Sequence, residues 1–191
     1  LILVDSDKVA VTNINRQSIA LHSTVGQYKT RVMKTKIADI SPQTEVVTYE
    51  LFILPENIDE IFQEKPDYIV DAVDTVTAKL AAAEKAREYG IPLISCMGTG
   101  NKLHAELFEI TDISKTSVCP LCKVMRKELR ARGIEHLKVL YSKEKPVRVS
   151  GREAQEKAGR RMVPGSISFV PPAAGLLIAG EVIREIAGIG E

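Results

Sequence analysis

The chain has 191 residues, 45% of them hydrophobic and 27% charged, with a net charge of +1; this is the composition of an ordinary soluble globular protein with one substantial core. No apolar run approaches the roughly 18 residues needed to cross a bilayer, and Leu1 to Val4 is too short for a secretory core, so no membrane role is expected. Three cysteines without a repeating framework suit a reducing compartment, and a cytoplasmic location is expected.

The opening LILVD reads as a parallel strand buried on both faces and ending in an acid. Val25, Tyr28, Val32, Met33, Ile37 and Ile40 recur at helical spacing, with Pro42 beyond the end. EVVTYE follows as a strand, then a helix opening at Pro55 and carrying Ile58, Ile61 and Phe62, then YIVDAVD as a second buried strand. Ala78 to Tyr89 is an Ala- and Lys-rich helix stopped by Gly90, and Ile91 to Met97 is another strand. Ala105 to Thr111 reads as a strand exposed on one face, Pro120 to Arg132 as a basic helix, and Leu137 to Tyr141 as a short strand. Residues 142–164 are polar and charged, a mobile crossover loop by this reading. SISFV is a closing strand, and PPAAGLLIAGEVIREIAG a helix whose small-residue face suits packing on the sheet or on a partner subunit. The expected fold is α/β: a Rossmann-like, doubly wound, mostly parallel sheet with an antiparallel extension, forming a single domain over residues 1–191.

Polar residues cluster where strands end. DSDKVAVTNINRQ carries Asp5, Asp7, Asn13, Arg16 and Gln17, and VGQYKT adds Lys29. In an open parallel sheet ligands bind at the carboxyl edge, where an acid commonly accepts hydrogen bonds from a nucleotide ribose. Asp5 has that place, while Arg16 and Lys29 carry the charge a triphosphate needs and Asn13 an amide donor. The string VDAVDT ends a later strand with Asp71 and Asp74. Mg²⁺ prefers one or two carboxylates together with phosphate oxygens, which suits Asp74; Asp71, deeper in the strand, reads as a cap for Thr75 or the following helix.

Together, DSDKVAVTNINRQ, VGQYKT and DAVDT resemble the ubiquitin-activating-like superfamily of adenylate-forming enzymes. The resemblance implies that Asp5 holds the ribose, that Asp7, Asn13, Arg16, Gln17 and Lys29 line the ATP site, and that Asp74 binds Mg²⁺. It further implies that Arg16, Lys29 and Asp74 carry the catalysis. The superfamily's first strand and GxGGxG loop do not appear in these residues, and Gly98 and Gly100 do not replace them. ISCMGTGNK, SKTSVCPLCKVMRKELRARGI and GSISFVPPAAGLLIAGEVIRE are similar to the branch that dehydrates threonylcarbamoyladenosine in tRNA. That similarity implies a homodimer with tRNA as partner. An alternative within the superfamily is adenylation of the C-terminal glycine of a small sulfur-carrier protein, with a carrier or sulfur-transfer partner. An alternative outside catalysis is a binding module that keeps the fold without using ATP.

Charge is segregated along the chain. Between Lys123 and Arg161 there are 13 Lys or Arg against 5 Glu, the footprint of a surface for a polyanion. Arg126, Lys127, Arg130 and Arg132 on the basic helix are the candidate tRNA contacts, with Lys143, Lys145, Arg148 and Arg152 beyond them. Cys119 and Cys122 make a single CxxC, half of what a structural zinc site takes, so zinc is not expected. Pro120 favours a helix start there, with Cys122 packed as a small hydrophobe. A dehydratase needs no thioester, so no covalent role is expected of Cys119, and Cys96 reads as core.

Overall fold

A computed structural model describes residues 1–147 and 164–189. Its contacts divide the chain into two units, Leu1–Asn57 and Ile58–Glu191.

The first unit is one crossover. Strand β1 (Ile2–Val4) pairs in parallel with β2 (Val47–Tyr49), Ile2 opposite Val47. Both strands are half-buried to exposed within this two-stranded sheet, less covered than the apolar run LILV suggests. Between them lie a 3-10 turn (Val11–Asn13) and helix α1 (Lys29–Ile40). The apolar period that begins at Val25 starts helix only at Lys29, because Gly26 takes a left-handed φ of 87° and Tyr28 is extended and bridges to Lys8. Thr30, buried at the start of α1, donates to Glu50 beyond β2, as does Arg31.

The second unit holds a four-stranded sheet in the order β3-β4-β6-β5, with β3 (Ile69–Asp71), β4 (Leu93–Cys96), β5 (Phe108–Asp112) and β6 (Lys138–Ser142). β3, β4 and β6 are mutually parallel, and β5 runs antiparallel along β6 with Ile110 opposite Leu140. The antiparallel extension is thus a single edge strand. Helix α2 (Asp59–Phe62) is one turn, shorter than the period from Pro55 suggests. At its front, Asn57 accepts from Leu54 N–H and donates to the Phe52 carbonyl, making a local turn that competes with helix. At its end, Lys65 is left-handed before Pro66.

Helix α3 (Val76–Tyr89) ends as its sequence indicates, Gly90 taking a left-handed φ of 66° and Ile91 N–H closing on the Ala86 carbonyl. Helix α4 (Pro120–Ala131) precedes β6, and α5 (Val170–Ile186) closes the unit. Ala174, Ile178 and Val182 of α5, spaced i, i+4 and i+8, pack on Ile94 of β4 and Leu140 of β6, so this stripe seats the helix on the sheet, while the small residues Gly175 and Ala179 are exposed. SISFV is not a strand: Ser166 and Ile167 have no regular secondary structure, Ser168 and Phe169 bend, and Val170 already opens α5. Two prolines at the front of the helix explain this, since they favour the first turn and cannot donate to a ladder. Most of the basic crossover stretch, residues 148–163 with Arg148 and Arg152, lies outside the described residues.

Candidate nucleotide and tRNA sites

In the first unit Asp5, Asp7 and Lys29 meet just beyond β1, while Asn13 and Arg16 bond local partners. Asp5 Oδ1 accepts the Asp7 backbone N–H at 2.8 Å. Lys29 Nζ, on a side chain only 14% exposed, lies 2.7 Å from Asp7 Oδ2 and 3.6 Å from Asp5 Oδ2. The lysine expected to face phosphate is therefore held by the two acids that precede it, a pairing one strand-to-helix connection long. Asn13 Oδ1 accepts from Ala10 N–H at 3.0 Å, which orients the side chain and leaves its amide Nδ2 as a donor. Arg16 Nη1 donates to the Thr12 carbonyl (3.0 Å) and to Asn15 Oδ1 (2.9 Å), both neutral acceptors. Among the described residues no carboxylate pairs with Arg16. Gln17 Oε1 is buried without a protein hydrogen-bond partner among the described residues, a costly state for an acceptor unless a ligand or water donates to it.

In the second unit, β3 delivers Asp71 and Asp74 into different surroundings. Asp74 is exposed in the bend after the strand, with no hydrogen bond or ion pair of its carboxylate among the described residues. Asp71 does not cap Thr75. Its Oδ1 accepts Val73 N–H (3.0 Å), while Oδ2 accepts from Lys79 Nζ (3.0 Å) and Ser95 Oγ (2.5 Å). Lys79 is 1% exposed and also donates to the Cys96 carbonyl at 2.7 Å, linking α3 to the ends of β3 and β4. The signal for it was present in the sequence: Lys79 sits i, i+4 and i+7 with the buried Ala83 and Ala86, and a lysine on an apolar stripe requires a buried acid. The neighbouring Cys96 thiol is pushed up to about 11, chiefly by burial, so it stays protonated.

The basic helix α4 divides its cations by role. Arg126 is partly buried and Nη1 donates to the Thr116 carbonyl (3.0 Å), the Ile113 carbonyl (3.4 Å) and the Thr116 hydroxyl, tying the turn before the helix to its second turn. Arg132 is paired with Glu84 (3.3 Å) and Glu128 (3.0 Å). Lys127 and Arg130 are exposed, with no acid paired to them among the described residues, and together with Lys123 they fall on one helical face. Two of the four expected tRNA contacts are thus engaged within the protein. Nothing in the residue types distinguishes them, because the engagement depends on acceptors from other segments.

The sequence model of the ThiF family matches residues 1–191. The chain is 40% identical over 195 residues to the tRNA threonylcarbamoyladenosine dehydratase of Bacillus subtilis (strain 168), covering 97% of this chain and 76% of the relative. To the dehydratase of Escherichia coli (strain K12) it is 35% identical over 129 residues, 68% of this chain and 48% of the relative. The crystal structure of the E. coli dehydratase in complex with AMP superposes with a TM-score of 0.85 at 27% identity, covering 98% of this chain and 75% of that one. The complex of the same enzyme with ATP superposes at 0.75, covering 96% and 77%.

Proposed function

We propose, from the premise that this chain belongs to the ThiF family, that it catalyses the ATP-dependent dehydration of threonylcarbamoyladenosine in tRNA beside the anticodon. Oxide is a poor leaving group, so the carboxylate of the threonyl arm must be activated before it can lose water. It attacks the α-phosphate of ATP and expels pyrophosphate, forming an acyl-adenylate. The carbamoyl group of the same substrate then attacks the acyl carbon, expels AMP and closes the ring. The nucleophile belongs to the substrate, so the protein's work is positioning and charge stabilisation.

The observation that carries this reading is the guanidinium of Arg16, which among the described residues bonds neutral oxygens and no carboxylate, as suits a cation that serves the α-phosphate. Asn13 supplies an amide donor to a phosphate oxygen, and Lys29 a second cation once it lets go of Asp7. Asp5 and the orphaned Gln17 Oε1 are acceptors and suit ribose hydroxyls or the adenine amine rather than phosphate. Asp74 fits Mg²⁺: it is a hard oxygen ligand, exposed and unpaired among the described residues, as needed where phosphate oxygens complete the coordination. Mg²⁺ held there would neutralise phosphate charge. Residues 1–191 work as a single adenylation domain in the cytoplasm, and Lys127 and Arg130 lead the grip on tRNA phosphates. A homodimer is supported by the apolar outer face of α5, where Leu176, Ile183 and Ile186 are exposed.

The test is an assay of tRNA bearing threonylcarbamoyladenosine with the protein, ATP and Mg²⁺. The expected product is a nucleoside lighter by one water, formed with stoichiometric AMP and pyrophosphate. Pyrophosphate exchange stimulated by a sulfur-carrier protein and not by the tRNA would assign the site to the carrier instead. No ATP binding at all would mark a binding module.

A further inference from the structure

The polar group buried at the ends of β3 and β4 has no place in the adenylation steps, yet its bonding is complete. Asp71, the last residue of β3, lies opposite Ser95 of β4. Lys79 reaches both from the first turn of α3, its Nζ donating to Asp71 Oδ2 (3.0 Å), Ser95 Oγ (3.3 Å) and the Cys96 carbonyl (2.7 Å). All three donors of the ammonium are thus used. The Ser95 hydroxyl donates to the same Asp71 oxygen at 2.5 Å. Asp71 keeps Oδ1 for one further bond, accepting from Val73 N–H at 3.0 Å. Lys79, Asp71 and Ser95 are all buried.

Well-packed apolar residues of similar volume are often as stable in such a place, because burying charge costs desolvation. What they could not do is accept from a main-chain N–H beyond the strand, or tie the strand ends to a helix by hydrogen bonds. Those two links bracket Asp74. Asp71 fixes the main chain at Val73, directly before it, and Lys79 holds α3, which starts at Val76, two residues after it. Thr75, the N-cap of that helix, makes no side-chain cap hydrogen bond, so the buried group sets the entry to α3. The Asp74 carboxylate is exposed and unpaired among the described residues, and its aim follows from the main chain on either side. We infer that Asp71, Lys79 and Ser95 are positioning residues that hold Asp74 in the orientation its metal role needs. The inference rests on the magnesium reading of Asp74, through which all three residues act.

The readout is the affinity of a non-hydrolysable ATP analogue, measured by calorimetry without metal and with saturating Mg²⁺. In the wild type Mg²⁺ is expected to tighten binding. In the Lys79→Met, Asp71→Leu protein, where both charges go together, the metal-free affinity should be unchanged and the tightening by Mg²⁺ about tenfold smaller, the scale of losing a group that orients a metal ligand. Asp74→Asn should lose the same tightening, and adding it to the double variant should cost nothing further, since both changes act on one carboxylate. Ser95→Ala removes one hydrogen bond and leaves the ion pair; it should fold and lose a smaller part, so the answer does not depend on the double variant folding. Full tightening by Mg²⁺ in both variants would overturn the inference. So would equal losses with and without metal, the mark of a merely structural role. An affinity that Mg²⁺ leaves unchanged in the wild type would instead remove the metal role of Asp74, and the positioning role with it.

Discussion

Lys79 places its ammonium 3.0 Å from the Asp71 carboxylate with both side chains almost wholly buried, 1% and 3% exposed. The pair, with Ser95 and the Cys96 carbonyl, sets the path of the chain just before Asp74. Removing one partner of such a pair leaves an uncompensated buried charge. Lys79→Met is expected to cost about 3–5 kcal/mol of unfolding free energy, and the double variant Lys79→Met, Asp71→Leu to recover much of it. Urea unfolding of the three proteins checks this; equal losses in both variants would mean that the contact contributes packing and no more.

Arg16 and Asp74 should separate chemistry from stability, since among the described residues neither pairs with a charged partner. Arg16→Ala and Asp74→Asn are each expected to lower dehydration turnover by about 10²–10³-fold, the scale of losing one charge stabiliser. Unfolding free energy should change by less than about 1 kcal/mol. Turnover and thermal unfolding on the same preparations decide, and an Asp74→Asn protein with full activity would remove that residue from the Mg²⁺ role.

Asp7 and Lys29 offer a different contrast. Lys29 can serve phosphate only by giving up its 2.7 Å contact with Asp7, so the acid competes with ATP for the cation. Lys29→Met is expected to weaken ATP binding about tenfold, whereas Asp7→Asn leaves it unchanged or tighter. Calorimetric titration with a non-hydrolysable ATP analogue distinguishes this from direct nucleotide binding by Asp7, which would weaken affinity in both variants.

The cations of α4 should divide in the same way. Lys127→Glu with Arg130→Glu is expected to weaken tRNA binding and flatten the dependence of log K on log salt by roughly 2, without changing stability. Arg126→Ala is expected instead to destabilise the fold by about 1–3 kcal/mol, because its guanidinium bonds the Thr116 and Ile113 carbonyls. Filter binding across a salt series together with thermal unfolding checks both. A salt slope unchanged by the double reversal would remove α4 from the tRNA surface.

Glu181 on α5 pairs with Lys138 of β6 at 2.9 Å, and the hydrogen bond from Lys138 holds its carboxyl below the usual 4.5. A carboxyl lowered in the folded state contributes stability that is fully present above pH 4.5 and is lost as pH falls through the lower folded value. Partial exposure limits the effect to about 1 kcal/mol or less. The difference in stability between wild type and Lys138→Met should therefore be constant above about pH 6 and shrink below the usual carboxylate pKa. A difference independent of pH would assign it to packing of the lysine stem.

Element order and family were legible in the residues because they depend on local and nearby pattern: apolar runs mark β1, β3 and β4, Gly90 stops α3, and the strings around Arg16 and Asp74 recur as short contiguous motifs. Tertiary structure decided where charge is spent. Lys29 and Arg16 are both cations in one stretch of sequence, yet among the described residues Lys29 is bound to acids and Arg16 to neutral oxygens. Arg126 and Arg130 lie a turn apart, yet among the described residues only Arg126 meets backbone carbonyls. Asp71 ends β3 and Asp74 lies in the bend just after it, but it is Asp71 that meets Lys79. Those outcomes depend on which acceptors distant segments bring within about 3 Å, the range over which hydrogen bonds form, and no local pattern of residue types carries that information.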